Sequence, residues 1–89
     1  MVLIINFALK NQSKNYSPFF EAIKSCGAWW HFLDSTWIVS TQYSADKVSN
    51  HLQQFIDTST DYLLVARLQK EYEGWLPQDA WNWLNNKQY

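Results

Sequence analysis

Apolar and polar positions follow two rhythms along this chain, and the change from one to the other marks its elements. Val2 to Leu9 is an almost unbroken apolar run, interrupted only by Asn6, which predicts a central strand covered on both faces. The polar stretch Lys10 to Asn15 predicts a loop. Ser17-Pro18 then resembles an N-cap followed by proline at the first helical position. Phe20, Ile23 and Cys26 keep helical spacing, and Gly27 is placed to end that helix in a left-handed conformation.

Trp29 to Leu33 and Thr36 to Thr41 are aromatic and β-branched, with Asp34-Ser35 between them, the pattern of a hairpin. In the second arm Trp37, Val39 and Thr41 share one face and Ile38 takes the other. Ser44 can cap a second helix, with Tyr43 and Val48 as its hydrophobic staple. Val48, Leu52, Phe55 and Ile56 form the core stripe of that helix. Asp57 to Asp61 is a polar loop, and Tyr62 to Leu68 is a further apolar strand. Pro77 can open a short third helix that runs through Leu84.

The order β-α-β-β-α-β with a short final helix predicts an α+β, ferredoxin-like domain spanning residues 1–89. Right-handed crossovers put the first two helices on one face of an antiparallel sheet whose first and third strands are central. The other face must then be met by the C-terminal segment, a second subunit or a ligand.

Composition sharpens the problem of that second face. The chain has 89 residues, of which 47% are hydrophobic and 17% charged, with six Trp, five Tyr and five Phe. So much apolar side chain excludes disorder, and two Gly with two Pro exclude a long linker. A domain of this size buries only about 60 to 65% of the surface of its unfolded chain, and Trp is seldom fully buried. Part of the aromatic surface is therefore expected at an interface, with candidates Trp29, Trp30 and Trp37 on the hairpin and Trp75, Trp81 and Trp83 near the C-terminus.

Seven Lys and Arg against eight Asp and Glu give a net charge of −1, which is neither the basic field of a nonspecific nucleic-acid binder nor a polyacidic mimic. A lone Cys26 excludes an intramolecular disulfide and a multi-cysteine metal cage. Val2-Leu3-Ile4-Ile5 lacks the basic flank and cleavage site of a signal peptide, and no run reaches the length of a membrane span. These features lead to the expectation of a cytoplasmic protein without membrane association.

Few residues offer chemistry. His31, with Asp34 nearby, is a candidate general base or metal ligand, set against a strand histidine that holds its hairpin by hydrogen bonds. His51 falls on the exposed side of the second helix, and Cys26 suits a small core position. Trp29, Trp30 and Trp37 suit a stacking platform for single-stranded nucleic acid or, more simply, cross-strand packing and a dimer surface. The packing alternative is favoured because residues 25 to 46 hold no Lys or Arg. Lys10, Lys14, Arg67 and Lys70 are the candidates for a modest basic patch.

The segment Gly27-Ala-Trp-Trp-His-Phe-Leu-Asp-Ser-Thr-Trp-Ile-Val-Ser-Thr41 resembles a signature of short bacterial and phage proteins labelled SinR-family. Tyr16-Ser17, Ile23-Lys24 and Asp61-Tyr-Leu-Leu-Val65 fit the same pattern, so the resemblance covers most of the chain. Those proteins are similar in turn to the small ferredoxin-like CRISPR adaptation proteins, a homodimeric superfamily that includes metal-dependent nucleases. The resemblance implies a homodimer and a role linked to nucleic-acid defence or mobile elements. In the metal-dependent members an Asp near the end of the first strand carries the metal, whereas the corresponding stretch here is Asn6-Phe7-Ala8-Leu9. Despite the label, no helix-turn-helix pattern is visible.

The leading expectation is a noncatalytic homodimeric interaction module that needs no cofactor and has room for a protein partner. A nuclease dependent on Mg²⁺ or Mn²⁺ and a single-stranded nucleic-acid-binding protein are the alternatives.

Overall fold

A computed structural model describes all residues from Met1 to Tyr89. The elements are β1 (Val2–Ala8), α1 (Ser17–Lys24), β2 (Ala28–Leu33), β3 (Thr36–Ser40), α2 (Ala45–Leu52), a 3-10 turn (Gln53–Phe55), β4 (Tyr62–Leu68) and α3 (Gln78–Asn85). The strands form one antiparallel sheet in the order β2-β3-β1-β4, so β1 and β3 are central. The fold is thus α+β, a four-stranded antiparallel sheet with three helices. No helix is long and apolar enough to cross a membrane.

Local chemistry explains most boundaries and corrects two of them. Ser44 caps α2 as expected, its hydroxyl accepting the Lys47 N–H at 3.3 Å. At α1 the cap lies earlier than expected. Tyr16 occupies the N-cap position without a side-chain bond, and Asn15 Oδ1 accepts the Ser17 N–H at 3.0 Å. Asn serves as well as Ser in bending the chain into a first turn, and this one leaves Ser17 inside the helix.

Gly27 also acts differently from its sequence role. The helix has already ended at Lys24, with Ser25 in the right-handed conformation. Gly27 instead has φ 155°, and a Cβ there would stand 2.1 Å from the Ser40 carbonyl oxygen. Its task is close approach of the chain to β3 at the entry to β2.

The hairpin turns at Asp34-Ser35, as the sequence predicted. No residue other than glycine has positive φ, so this turn is neither type I′ nor type II′. The ladder compensates with an irregularity between Trp30 and Leu33, after which Leu33 pairs with Thr36.

The sheet has an apolar core on each side. On one face α1 and α2 set Phe19, Ala22, Ile23, Val48 and Leu52 against Leu3, Ile5, Phe7, Trp37 and Val39. On the other, Ala80 and Leu84 of α3 cover Val2, Trp30 and Ile38, with Tyr72, Leu76, Trp81 and Trp83 packed around them. The C-terminal segment is therefore what meets the second face, the first of the three solutions the sequence left open.

Candidate interaction surface

Strand register locates the part of the second face that remains bare. Opposed residues in an antiparallel pair share a face. Four rows therefore cross the α3 side of the sheet. Val2 stands in a row with Leu68 and Ser40, and Ile4 in a row with Ala66 and Ile38. Asn6 stands with Leu64 and Thr36, and Ala8 with Tyr62. The first two rows supply the cluster under α3, and the last two are left open.

The open quadrant carries large apolar side chains. Tyr62 is 67% exposed, Leu64 65%, Phe32 55% and Leu33 44%. Leu33 shares the face of Thr36 through the register, and the Phe32 ring lies 5.1 Å from that of Trp30. Between the two strands that bear them, Asn6 donates its amide to the Thr36 hydroxyl and to the Ser35 carbonyl. The ammonium of Lys10 lies 5.1 Å from the Tyr62 ring centroid.

Of the six tryptophans offered as interface residues, the fold withdraws two entirely. Trp30 and Trp37 are each 4% exposed, on opposite faces of the sheet. Their indole N–H groups are buried with no hydrogen-bond acceptor, so both serve as packing bulk. Trp81 and Trp83 are half-buried, the first stacked on Tyr72 and the second beneath the Lys87 ammonium at 4.7 Å. Only Trp29, 43% exposed, and Trp75, 98% exposed, are left with substantial open surface. Trp29 packs on Trp37 and takes the Lys24 ammonium at 5.2 Å, so the three hairpin tryptophans make no common platform.

His31 and Asp34 form no ion pair with each other. The imidazole stacks on Trp37 at 4.2 Å, and its Nδ1 stands 3.5 Å from the Thr36 carbonyl oxygen. Asp34 sits in the exposed turn and makes no ion pair. No group of three His, Cys, Asp or Glu side chains is arranged to hold a metal ion. Mg²⁺ binds through carboxylates, whereas Asn6 carries a neutral amide whose Nδ2 donates to the Thr36 hydroxyl and the Ser35 carbonyl. The donor set does not fit that metal.

The expected basic patch is dispersed. Lys10 and Lys14 follow β1 at the Tyr62 end of β4, whereas Lys70 follows Leu68 at the other end. Seven strand residues separate these ends by about 20 Å, beyond a Debye length of roughly 8 Å. Arg67 lies between them with its guanidinium donating to the Tyr89 carbonyl.

One polar cluster is built with more care than its sequence suggested. Asp61, in what read as a simple loop, is 6% exposed. It accepts the Lys10 N–H at 2.7 Å, the Tyr16 hydroxyl at 2.6 Å, the Asp57 N–H at 2.8 Å and the Thr60 hydroxyl at 3.1 Å. Burial works against its charge, but these donors outweigh it and hold the carboxyl below the usual carboxylate range. Asp57 is lowered too, mainly by the hydroxyl and N–H of Ser59 and then by the Asn11 amide at 2.9 Å. The cluster ties the loop after β1 to the loop before β4, so it is a structural clamp.

The cleft between the end of α1 and α2, about 290 Å³, is lined by Ser25, Cys26, Tyr43, Lys47, Val48 and His51. Burial pushes the Cys26 thiol up, and its Sγ donates to the Ala22 carbonyl at 3.3 Å, which makes it a poor nucleophile.

Sequence reasoning missed Tyr62, Leu64, Phe32 and Leu33. A signal for the first two was present: Tyr-Leu-Leu-Val-Ala-Arg-Leu is apolar on both faces, whereas a strand at the edge of a sheet usually alternates. No protein-family model and no solved structure matches this chain.

Proposed function

We propose that this chain is a noncatalytic, homodimeric interaction module of ferredoxin-like topology, with the open quadrant of the sheet as its contact surface. One observation carries the reading: Tyr62, Leu64, Phe32 and Leu33 stand 44 to 67% exposed on the part of the sheet that α3 leaves bare. Covering one such side chain is worth about 1 to 2 kcal/mol, so a monomer forgoes several kcal/mol that a partner recovers. The topology is supported by central strands β1 and β3 and by the packing of α1 and α2 on one face. The signature from Gly27 to Thr41 supports kinship with the SinR-labelled proteins and, through them, a role linked to nucleic-acid defence or mobile elements. A cytoplasmic setting is consistent with the one unpaired thiol, Cys26.

Sedimentation equilibrium at micromolar concentration tests the proposal. The expected mass is twice the 10.6 kDa of the chain. Leu64→Asp, at an exposed position, should give the monomer with an unchanged far-ultraviolet spectrum. A wild-type monomer under the same conditions would overturn the homodimer. Cleavage of labelled RNA or DNA that requires added Mg²⁺ or Mn²⁺ and stops with EDTA would overturn the noncatalytic part.

A further inference from the structure

The helical side of the sheet holds a cleft that the contact surface does not use. It lies between the end of α1 and α2, and its volume of about 290 Å³ is close to the lower end of the roughly 300 to 1,000 Å³ usual for small-molecule sites. Its buried members are apolar. Val48 is 2% exposed and Cys26 9%, and the Cys26 thiol is occupied by the Ala22 carbonyl. Ser25, Tyr43, Lys47 and His51 complete the lining, the Ser25 hydroxyl donating to the same carbonyl at 2.7 Å.

The other three polar heads are unspent. The ion pair of the chain joins Lys24 to Glu21, and its cation–ring contacts belong to Lys10, Lys24 and Lys87, so the Lys47 ammonium has no partner of either kind. Tyr43 is engaged only through its backbone N–H, with the Thr41 hydroxyl. His51 meets Phe55 edge to face with ring centroids 5.5 Å apart, which steadies the imidazole without using its nitrogens. Lys47 and His51 stand one turn apart on α2 and so share a face. No Asp or Glu lines the cleft, although acidic residues outnumber basic ones in the chain by eight to seven.

We infer that this cleft binds a small organic carboxylate whose body is a single ring or a branched apolar chain. The carboxylate meets the Lys47 ammonium and an N–H of His51, which imidazole offers in either protonation state. The body packs on Val48, Cys26 and the Tyr43 ring. One ammonium beside neutral donors suits a monoanion. A phosphate dianion calls for a guanidinium or a second fixed charge, and the cleft has neither. Val48 and Cys26 belong to the core on the α1 and α2 face, whereas the open quadrant is on the α3 face. Binding here is therefore independent of the homodimer proposed above.

Titration of the ¹⁵N-labelled chain with benzoate, followed by amide chemical shifts, tests the site. Shifts should saturate at the amides of Cys26, Tyr43, Lys47 and His51, with a dissociation constant on the order of 1 to 10 mM for so small a probe. Benzyl alcohol keeps the ring without the charge and acetate keeps the charge without the ring, and each should bind about fivefold more weakly or worse. Lys47 is an exposed helix residue, so Lys47→Gln should keep the fold and weaken benzoate about fivefold. Tyr43→Ala should weaken it by about as much through the lost ring. Leu64→Asp, on the opposite face, should leave it unchanged. Shifts that grow without saturation, or that gather at Tyr62 and Leu64, overturn the site. So do benzyl alcohol or acetate binding as tightly as benzoate, a Lys47→Gln chain that binds like wild type, and a Leu64→Asp chain that loses binding.

Discussion

Gly27 shows how much one residue decides here. Its hydrogen side chain lets the chain pass against β3, where a methyl group would be 2.1 Å from the Ser40 carbonyl oxygen. The colliding atom is backbone in a central strand, so relief requires moving the sheet. Gly27→Ala should lower unfolding free energy by about 2 kcal/mol or more in urea titration. A loss under about 0.5 kcal/mol would show that β2 shifts freely. The importance of this position was legible from residue type, but its role was not. A glycine after a helix reads as a left-handed terminator until the strand it lies against is known.

At the scale of elements, α3 turns a one-sided sheet into a two-sided one. It does so through Ala80 and Leu84, which seal Trp30 against Val2 and Ile38. Trp30→Ala should therefore cost about 3 to 5 kcal/mol. Trp75→Ala, at a position 98% exposed, should change chain stability by no more than about 0.5 kcal/mol. Chemical denaturation followed by circular dichroism separates the two, and equal losses would mean that α3 does not seat as described. The hairpin and the final helix were both readable, from Asp34-Ser35 between aromatic arms and from Pro77 before Ala80 and Leu84. Which tryptophans they would bury was not readable. Trp29 and Trp30 differ by one position, and the pleat sends them to opposite faces.

Across the whole molecule, the clamp at Asp61 joins loops that are 51 residues apart in sequence, from Lys10 to Asp61. Its folded carboxyl lies below the unfolded value of about 3.9, so it stabilises the fold fully above that pH. This contribution is lost as pH falls through the lower folded value. Asp57 acts in the same direction. Asp61→Asn should therefore melt well below wild type at neutral pH, and the gap should narrow below about pH 4. A gap that stays constant down to about pH 2 would show that the carboxylate charge is not what the four donors recognise.

The sequence by itself determined the succession of strands and helices, because apolar periods of two and 3.6 residues are properties of neighbouring positions. It also determined that two faces would need covering, since Val2 to Leu9 is apolar on both sides of the pleat. The tertiary structure alone decided how the tryptophans divide between core and surface and how far α3 reaches. It also turned Asp61 from a loop residue into a buried acceptor. These depend on register and on contacts between distant segments. Only when Leu64 stands beside Asn6, and Tyr62 beside Ala8, beyond the reach of Leu84, does an apolar strand become an open edge.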